Sequence, residues 1–442
     1  MVVAKYSVIG QKITDHCYEV PLNYNKPKGH KISVFVRELV DFAKKDADLP
    51  YVIFFQGGPG FSSSQSLEKD WVKRLLEEYR VLLLDSRGTG QSTLICAQTL
   101  AGMTPEEQAD YLQYFRADNI VRDAEFIRKY FIRKKKLRGK NKKWTLCGQS
   151  FGGFCIMVYL SMAPKAIKAY YITGGIPAVD RTVDEIYTKT YKQVIIENKR
   201  YYERYPQDRN KLREIATYLR TNDVRLPSGD PLSVRKFQLL GINFGISTGF
   251  TTIHNLVETA FVEGQNGKEL SYLFLKNVEG MIGFDTNPIF AILHEPIYGD
   301  AHSTDWAAER LHINYPELSH DEENGDFYFT GEMVYPWMFD DISQLQVMKE
   351  AANILASKKD WPALYNRNNM KSKSIPGAAA IYYSDMYVPV DFSVETAEKY
   401  LPGVKLWITN EYKHNGTNID GYHILDRLIS LVKNKTNCHH CY

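Results

Sequence analysis

"WTLCGQSFGG", residues 144–153, is the stretch of sequence that decides the fold. An apolar run ends at Gly148, Ser150 follows between glycines, and a second apolar, helix-like run comes directly after them. Residues 148–152 match the pattern G-x-S-x-G, in which the glycines let a strand turn sharply into a helix and expose the serine hydroxyl. The stretch therefore predicts a strand, a tight turn and a helix, with Ser150 as a candidate nucleophile at the turn.

Short apolar runs alternate with helix-like segments on both sides of this stretch, which predicts an α/β fold with a mostly parallel sheet and helices on both faces. From about 179 to 361 the chain is instead polar and periodic at helical spacing. We therefore predict an α/β core at 1–178, an inserted helical cap at 179–361 and the rest of the core at 362–442. The predicted core strands are YVIFF (51–55), RVLLLD (80–85), WTLC (144–147), AYYITGG (169–175), AAAIYYSD (378–385) and VKLWITNEY (404–412), with KISVFVREL (31–39) as an outer strand.

A serine hydroxyl becomes a good nucleophile only when a base takes its proton and a third group orients that base. In hydrolases with this kind of turn the three residues follow one another in the order serine, acid, histidine. Asp385 ends one predicted strand, and His414 comes shortly after the next. We therefore predict a catalytic triad of Ser150, Asp385 and His414, with His423, which falls inside the closing helical segment, as the alternative base. Taken singly, Asp385 would equally suit a helix cap and His414 an ordinary loop.

The tetrahedral intermediate of such an attack carries a negative oxygen, which needs preorganised hydrogen-bond donors. The backbone N–H of Phe151, the residue after the nucleophile, is one predicted donor of this oxyanion hole. The second is expected from the turn QGGPG at 56–60, where Gly58 is preferred and Gly57 is the alternative. The same glycines also suit a plain tight turn. A phosphate-binding loop is disfavoured, because the Lys-Ser/Thr pair of such loops is missing after them.

Six motifs are spread along the chain: QGGPG (56–60), DSRGTGQS (85–92), GQSFGGFC (148–155), GEMVYPWMF (331–339), YYSDMYVP (382–389) and TNEYKHNG (409–416). Together they resemble the prolyl aminopeptidase (proline iminopeptidase) family of α/β hydrolases, in its longer form. The resemblance covers nearly the whole chain. It implies an α/β-hydrolase core with a helical cap, the triad named above, and release of an N-terminal residue, typically proline, from a peptide.

Holding a free terminal ammonium in an enclosed pocket requires carboxylate partners. The resemblance implies that glutamates of the cap supply them, and Glu295 in ILHEPIY is the best match, with Glu258 and Glu332 as further candidates for substrate binding. Each of the three is also compatible with an ordinary surface charge or a structural ion pair. Thr251 stands where the family commonly has a glutamate after Gly-Phe, so the strictness of a proline preference is left open.

The composition is that of a globular enzyme, with 44% hydrophobic residues and a formal net charge of +3 over 442 residues. Between Arg128 and Lys143 ten of sixteen residues are basic. We interpret this run as a surface loop after a helix, and not as a nucleic-acid site, because aromatic residues are not spaced along it for base stacking. No run of about 18 apolar residues and no signal peptide occurs, which predicts a cytoplasmic protein without a membrane partner.

Six cysteines are scattered along the chain and are expected to be free thiols in a reducing compartment. Cys438 and Cys441 form a C-x-x-C pair, but no second pair has suitable spacing, so neither a metal site nor a cofactor is expected.

The predicted function is therefore a serine exopeptidase that acts through an acyl-enzyme on peptides with a free N-terminus. Two alternatives stay open. One is an esterase or amidase of small acyl substrates on the same fold, because fold does not fix substrate. The other is a non-catalytic binding protein with a hydrolase fold, against which the intact serine, acid, histidine and glycines count. The sequence leaves the oligomeric state unknown.

Overall fold

The computed structural model describes residues 1–8, 10–265, 267–319, 325–371 and 375–434, apart from one side chain at position 140. The strands of this part of the chain are β1 (Val2–Val8), β2 (Gln11–Pro21), β3 (Lys31–Asp41), β4 (Tyr51–Phe55), β5 (Arg80–Asp85), β6 (Trp144–Gln149), β7 (Ile167–Thr173), β8 (Phe261–Gly264), β9 (Gly267–Leu270), β10 (Gly377–Tyr382) and β11 (Val404–Thr409).

In the described residues nine of these strands form one sheet, in the order β1-β2-β3-β5-β4-β6-β7-β10-β11. The six strands from β5 to β11 are parallel, whereas β3 pairs antiparallel with β5, β2 with β3, and β1 with β2. The prediction of a mostly parallel sheet is confirmed.

The strand predicted at the outer edge of the sheet, 31–39, is instead third from the edge, because β1 and β2 were not predicted and lie outside it. All seven residues of β1 are exposed, so this strand carries no pattern of buried residues for sequence reasoning to detect. The edge of the sheet is therefore formed by the segment with the weakest sequence signal.

The helices of the described residues are α1 (Asp70–Leu76), α2 (Ala97–Leu100), α3 (Pro105–Leu112), α4 (Ala117–Lys134), α5 (Phe151–Met162), α6 (Val183–Arg204), α7 (Asp208–Thr221), α8 (Val234–Gln238), α9 (Gly249–Glu258), α10 (Tyr272–Met281), α11 (Pro288–Leu293), α12 (Ala307–His312), α13 (Met338–Asp341), α14 (Ser343–Gln346), α15 (Lys349–Ala356), α16 (Arg367–Lys371), α17 (Val390–Tyr400), α18 (Gly416–Ile419) and α19 (Gly421–Val432). None of them is both long and apolar enough to span a bilayer, as far as the described residues extend.

Both faces of the sheet are covered by helices, which is why the central strand β4 is apolar and buried at every position. In β4, Val52 and Phe54 pack into one hydrophobic core with α1 and α19. Ile53 and Phe55, which alternate with them, pack into a second core with α4 and α5. The continuous apolar run YVIFF thus reflects burial on two sides.

The connections of the sheet reverse direction at β4. The chain leaves β4 for its neighbour β5 on one side and then crosses back to β6 on the other side. In parallel sheets such a switch point opens a crevice beyond the carboxyl ends of the strands. The turns after β4 and β6 carry Gly58 and Ser150, so both border this crevice.

Between β7 and β10 the chain forms helices α6 to α15 and an exposed hairpin, β8 and β9. This segment contacts the loop after β11: the backbone N–H of His414 donates to the carbonyl of Gly245 at 3.1 Å. The predicted domain limits at 178/179 and 361/362 stay a prediction.

Candidate active site

Ser150 lies at a sharp turn between β6 and α5, with φ 56° and ψ −126°. A positive φ is unfavourable for a residue with a side chain, and strain of this kind is a recognised feature of nucleophile turns. The neighbouring glycines are required by close packing. A Cβ added at Gly152 would overlap the carbonyl of Phe55, and one at Gly153 would overlap the carbonyl of Gly175. The serine is thus held against the ends of three strands.

His414 and Asp385 form a buried pair. The Nδ1 atom of His414 lies 2.7 Å from Oδ2 of Asp385, and the two side chains are 7% and 1% exposed. The other oxygen of Asp385 accepts the backbone N–H groups of Tyr387 at 2.9 Å and Val388 at 3.1 Å. The carboxylate is therefore fixed by its own loop and directs Nε2 of the imidazole away from itself.

The charge around His414 favours its protonated form. Burial lowers the pKa of the imidazole, but the carboxylate of Asp385, its hydrogen bond and the nearby Glu332 outweigh burial and raise the pKa above its ordinary value. An imidazole in this setting is a stronger base than a free one, as removal of a serine proton requires.

Ser150 and His414 line one pocket of about 340 Å³, together with the predicted donor Gly58 and with Glu332. The three residues of the predicted triad are thus brought to one site, although the hydroxyl of Ser150 makes no hydrogen bond to any of the described residues. Hydrogen bonds between catalytic groups are often long in the absence of substrate. The geometry is that of a serine and a base facing a common cavity.

Of the two predicted oxyanion donors, Gly58 lines the same pocket, and Phe151 directly follows Ser150 in the chain. Phe151 is the first residue of α5, where a backbone N–H has no partner within the helix. At the other side, Gly57 donates its N–H to Oε1 of Gln56 at 3.2 Å, whereas no hydrogen bond from Gly58 to the described residues occurs. Of the two glycines weighed for this role, Gly58 therefore has the available donor.

Sequence reasoning missed the residue that holds this glycine turn in place. Asp85, fully buried at the end of β5, accepts the N–H groups of Ser63 and Ser64 at 2.9 Å each and that of Gln91 at 2.9 Å. It thereby ties the loop after β4 to the loop after β5. The motif DSRGTGQS signalled that this position matters, but nothing in the sequence shows what the carboxylate binds.

The three candidate glutamates lie in different environments. Glu332 is half-buried in the Ser150 pocket, and its carboxylate has no hydrogen-bond or ion-pair partner among the described residues. Burial, opposed by His414 and reinforced by Asp385, raises its pKa to about 8. An unpartnered carboxylate beside Ser150 is suited to receive a cation.

Glu295 and Glu258 do not line that pocket. Glu295 is buried and accepts the backbone N–H groups of Ala307 at 3.1 Å and Ala308 at 2.8 Å, where it stabilises the start of α12. Burial still raises its pKa to about 7. Glu258 is exposed on α9, 3.7 Å from Nε2 of His254.

Two other residues weighed from the sequence also lie away from the pocket. Thr251 on α9 shares a hydrogen bond of 3.0 Å with the hydroxyl of Tyr205. His423 is exposed on α19 and packs against Trp407 at a ring distance of 6.2 Å. The structure therefore brings His414, and not His423, to the serine.

Comparison with known proteins agrees with this geometry. Residues 50–213 match a family model described as the alpha/beta hydrolase fold. The chain is 44% identical over 428 residues to a proline iminopeptidase of Aeromonas sobria, covering 96% of this chain and 98% of that protein. It is 33% identical over 421 residues to the proline iminopeptidase aneH of Aspergillus aculeatus, covering 95% of this chain and 93% of that protein.

The chain belongs to the proline iminopeptidase family. This confirms the resemblance drawn from the six motifs, and it confirms the α/β-hydrolase fold. The C-x-x-C pair at 438–441, which the sequence analysis weighed as half of a zinc site, lies outside the described residues.

Membership of the family does not by itself reveal the contacts of side chains that sequence reasoning missed. Tyr387 is one: its ring packs edge-on to His414 at 4.7 Å, and its hydroxyl donates to the carbonyl of Ile242. It therefore joins the loop of Asp385 to the inserted segment beside the imidazole. The motif YYSDMYVP contains this tyrosine, but its contacts depend on a segment 145 residues away in the sequence.

Proposed function

We propose that this protein is a serine aminopeptidase that releases the N-terminal residue, preferentially proline, from peptides through an acyl-enzyme. The observation that carries the proposal is the pocket shared by Ser150, His414 and the unpartnered carboxylate of Glu332. A nucleophile and base alone would suit any acyl transfer. A carboxylate beside them supplies what a substrate with a free amino group needs.

In the first half of the proposed reaction, Nε2 of His414 takes the proton of the Ser150 hydroxyl while Oγ attacks the carbonyl carbon of the first residue. The oxygen of that carbonyl becomes negative and accepts the N–H groups of Phe151 and Gly58. The imidazolium, stabilised by Asp385, then gives its proton to the leaving nitrogen, and the peptide bond breaks.

In the second half, water replaces the shortened peptide. His414 takes a proton from this water, the resulting hydroxide attacks the acyl carbon, and the bond to Oγ of Ser150 breaks as the proton returns to the serine. The products are a free amino acid and a peptide one residue shorter. No metal ion or cofactor has a role in these steps.

Glu332 is proposed to hold the substrate ammonium. Before substrate binds, the carboxylate is costly to ionise, which its raised pKa of about 8 expresses. An ammonium within hydrogen-bonding distance removes that cost and adds a charge-assisted hydrogen bond. A substrate with a blocked amine gains neither, so the site selects for free N-termini.

We further propose that residues 179–361 act as the cap over this site. Ile242, Asn243 and Ile246 of that segment line the Ser150 pocket together with Phe290. A cap in this position limits the pocket to the end of a chain, as exopeptidase action requires.

The experiment that tests the proposal measures hydrolysis of a panel of aminoacyl-naphthylamides, each beside its N-acetylated form. Preference for free prolyl-naphthylamide, with the acetylated form at least about 100-fold slower, is the expected outcome. Equal turnover of free and blocked compounds would replace the proposal with the esterase or amidase alternative. Labelling by a fluorophosphonate that is lost in Ser150→Ala separates both from a non-catalytic binding protein.

A further inference from the structure

A second cavity, of about 230 Å³, adjoins the Ser150 pocket. The two cavities share three lining residues, Phe61, Ile242 and Phe290, so they lie side by side. We infer that this second cavity binds the side chain of the second residue of the peptide substrate and selects for a large apolar one. The inference rests on the proposed aminopeptidase function and goes beyond it by naming which peptides are preferred.

The lining of the cavity is apolar throughout. Besides the three shared residues, its described walls consist of glycines and of Met281 and Phe284, and none of them carries a charged or hydrogen-bonding side chain. The rings of Phe61 and Phe284 lie 6.0 and 5.6 Å from that of Phe290. A cavity of roughly 150 Å³ with apolar walls already admits a benzene ring. One phenylalanine or leucine side chain therefore fits, whereas a carboxylate would lose its water without a partner.

Phe290 is a wall of both cavities. Its ring stacks on His294 at 4.8 Å and lies near Phe61, which lines both cavities, and Phe284, which lines only the second. Ser150 and Glu332, proposed to hold the carbonyl and the ammonium of the first residue, line the Ser150 pocket and not the second cavity. The first residue is therefore placed in the Ser150 pocket, which leaves the second cavity for the part of the chain that follows.

The type of reaction determines on which side of the scissile bond the second cavity binds the substrate. An enzyme that removes one residue from an N-terminus has no substrate residue before the first one. With the first residue held in the Ser150 pocket, an adjoining pocket is left to the residues after the scissile bond. Phe61, which lines both cavities, is 41% exposed, so their shared wall reaches the surface, where the rest of a peptide can leave.

The test compares four substrates: prolinamide, which has no second side chain, and the dipeptide amides Pro-Gly, Pro-Asp and Pro-Phe. We expect kcat/KM for Pro-Phe amide to exceed that for Pro-Gly amide by about tenfold or more, with Pro-Asp amide lowest. Equal values for Pro-Gly and Pro-Phe amides would overturn the inference. Loss of activity on all four together with full activity on acetylated esters would overturn the proposed function instead.

A variant that fills the cavity makes the test specific. A side chain at Gly280 on α10 would begin in open space, because nothing lies within 4 Å of its Cβ position. Gly280→Trp is therefore expected to fold and to lower the ratio of kcat/KM for Pro-Phe amide to that for prolinamide about tenfold. Leu273→Trp, an exposed residue of the same helix outside the cavity, is the matched control and should leave the ratio unchanged.

A variant that adds a charge to the second cavity gives an independent test. Met281→Lys places an ammonium in the cavity and should raise kcat/KM for Pro-Asp amide relative to Pro-Phe amide by several-fold. If Gly280→Trp and Met281→Lys instead change the discrimination between prolyl and alanyl amides, the cavity holds the first residue and the inference is wrong. An unchanged ratio in a folded Gly280→Trp, checked by circular dichroism, also contradicts it.

Discussion

The backbone of Ser150 is strained, because a residue with a side chain has a positive φ there. At φ 56° a glycine would be relaxed, whereas serine or alanine is not. The site therefore keeps an unfavourable residue where only a hydroxyl can do the chemistry.

Two substitutions at this position separate catalysis from stability. Ser150→Ala and Ser150→Gly should each lower kcat/KM by about 10⁵-fold or more, because both remove the nucleophile. Ser150→Gly should also be more stable than Ser150→Ala by about 1 kcal/mol, since it relieves the positive φ. Urea denaturation of the two inactive variants measures this difference, and equal stabilities would show that the turn is not strained.

Glu332 offers a test of the proposed amine site. Glu332→Gln should raise KM for prolyl-naphthylamide and lower kcat/KM about 100-fold, because an amide gives the ammonium no opposite charge. Hydrolysis of an acetylated ester should change much less. Glu263→Gln, at an exposed position on β8, is the control and should match the unmodified protein.

The same variant should move the pH profile. Glu332 must be ionised to bind the ammonium, and His414 must be neutral to act as a base, so kcat/KM rises with pH on the acid side. With the pKa of Glu332 at about 8 and that of His414 raised, this rise should lie above the ordinary histidine value of 6.5. In Glu332→Gln the rise should shift to lower pH, because position 332 no longer titrates and its charge no longer adds to that of Asp385 in raising the pKa of His414. If the rise of kcat/KM does not shift, another ionisable group controls the acid side of the pH profile.

At the scale of elements, the turn from β6 into α5 requires close contact between its own backbone and that of neighbouring segments. Gly152→Ala places a methyl group against the carbonyl of Phe55 and should destabilise the fold by about 3 kcal/mol or prevent folding. Gly280→Ala, inside α10 and facing open space, should instead be neutral or stabilising by about 0.5–1 kcal/mol. Thermal unfolding of both variants measures the contrast, and similar melting temperatures would contradict it.

The loop after β11 is attached to the inserted helices by a buried charge pair. Lys413 donates to Glu197 at 2.7 Å and to the carbonyl of Phe244 at 2.6 Å, and it lies 3.9 Å from the ring of Phe250. Glu197 is 1% exposed and also pairs with Arg200 at 2.6 Å, so it keeps a partner when Lys413 is removed.

Lys413→Met should therefore lower the free energy of unfolding by about 1–2 kcal/mol, because the hydrogen bonds of the ammonium are lost while Glu197 stays paired. It should also reduce kcat several-fold, because His414 is the next residue in the loop. Lys405→Met, at an exposed position on β11, is the matched control. Chemical denaturation and kcat on prolyl-naphthylamide provide the measurements, and a Lys413→Met variant as stable as the control would show that the pair adds nothing.

Several elements could be predicted from the sequence because their signals are local. The central strands are short and mainly apolar runs, and the turn at 148–152 constrains its own backbone. The pairing of Asp385 with His414 followed from their order after the nucleophile. The environments of Glu295 and Glu332 could not be predicted, because each depends on a helix start or a pocket formed by distant parts of the chain. The sequence alone favours Glu295, whereas of the two glutamates the structure places only Glu332 in the Ser150 pocket.

At the scale of the whole molecule, the antiparallel edge of the sheet lies far from the catalytic crevice. Strand β1 lies five positions from β6, which at the usual strand spacing is about 24 Å. Its seven residues are exposed, so it contributes little burial.

Removal of residues 1–8 should therefore preserve catalysis. We expect kcat/KM on prolyl-naphthylamide within twofold of the full chain and a melting temperature lower by about 2–4 °C, the shift that roughly 1 kcal/mol gives in a large domain. Enzyme assays and calorimetry on the shortened protein check both values. A large loss of activity with an unchanged melting temperature would mean that β1 acts on the site from a distance.

The order of the active residues along the chain has a consequence for synthesis. Ser150 leaves the ribosome roughly 260 residues before His414, which at 5–20 residues per second is a delay on the order of tens of seconds. During that time the hydroxyl has no base and cannot attack the amino ends of other polypeptides emerging nearby. The protein therefore becomes able to cleave peptides only after His414 has been synthesised. A chain that ends before His414 is inactive.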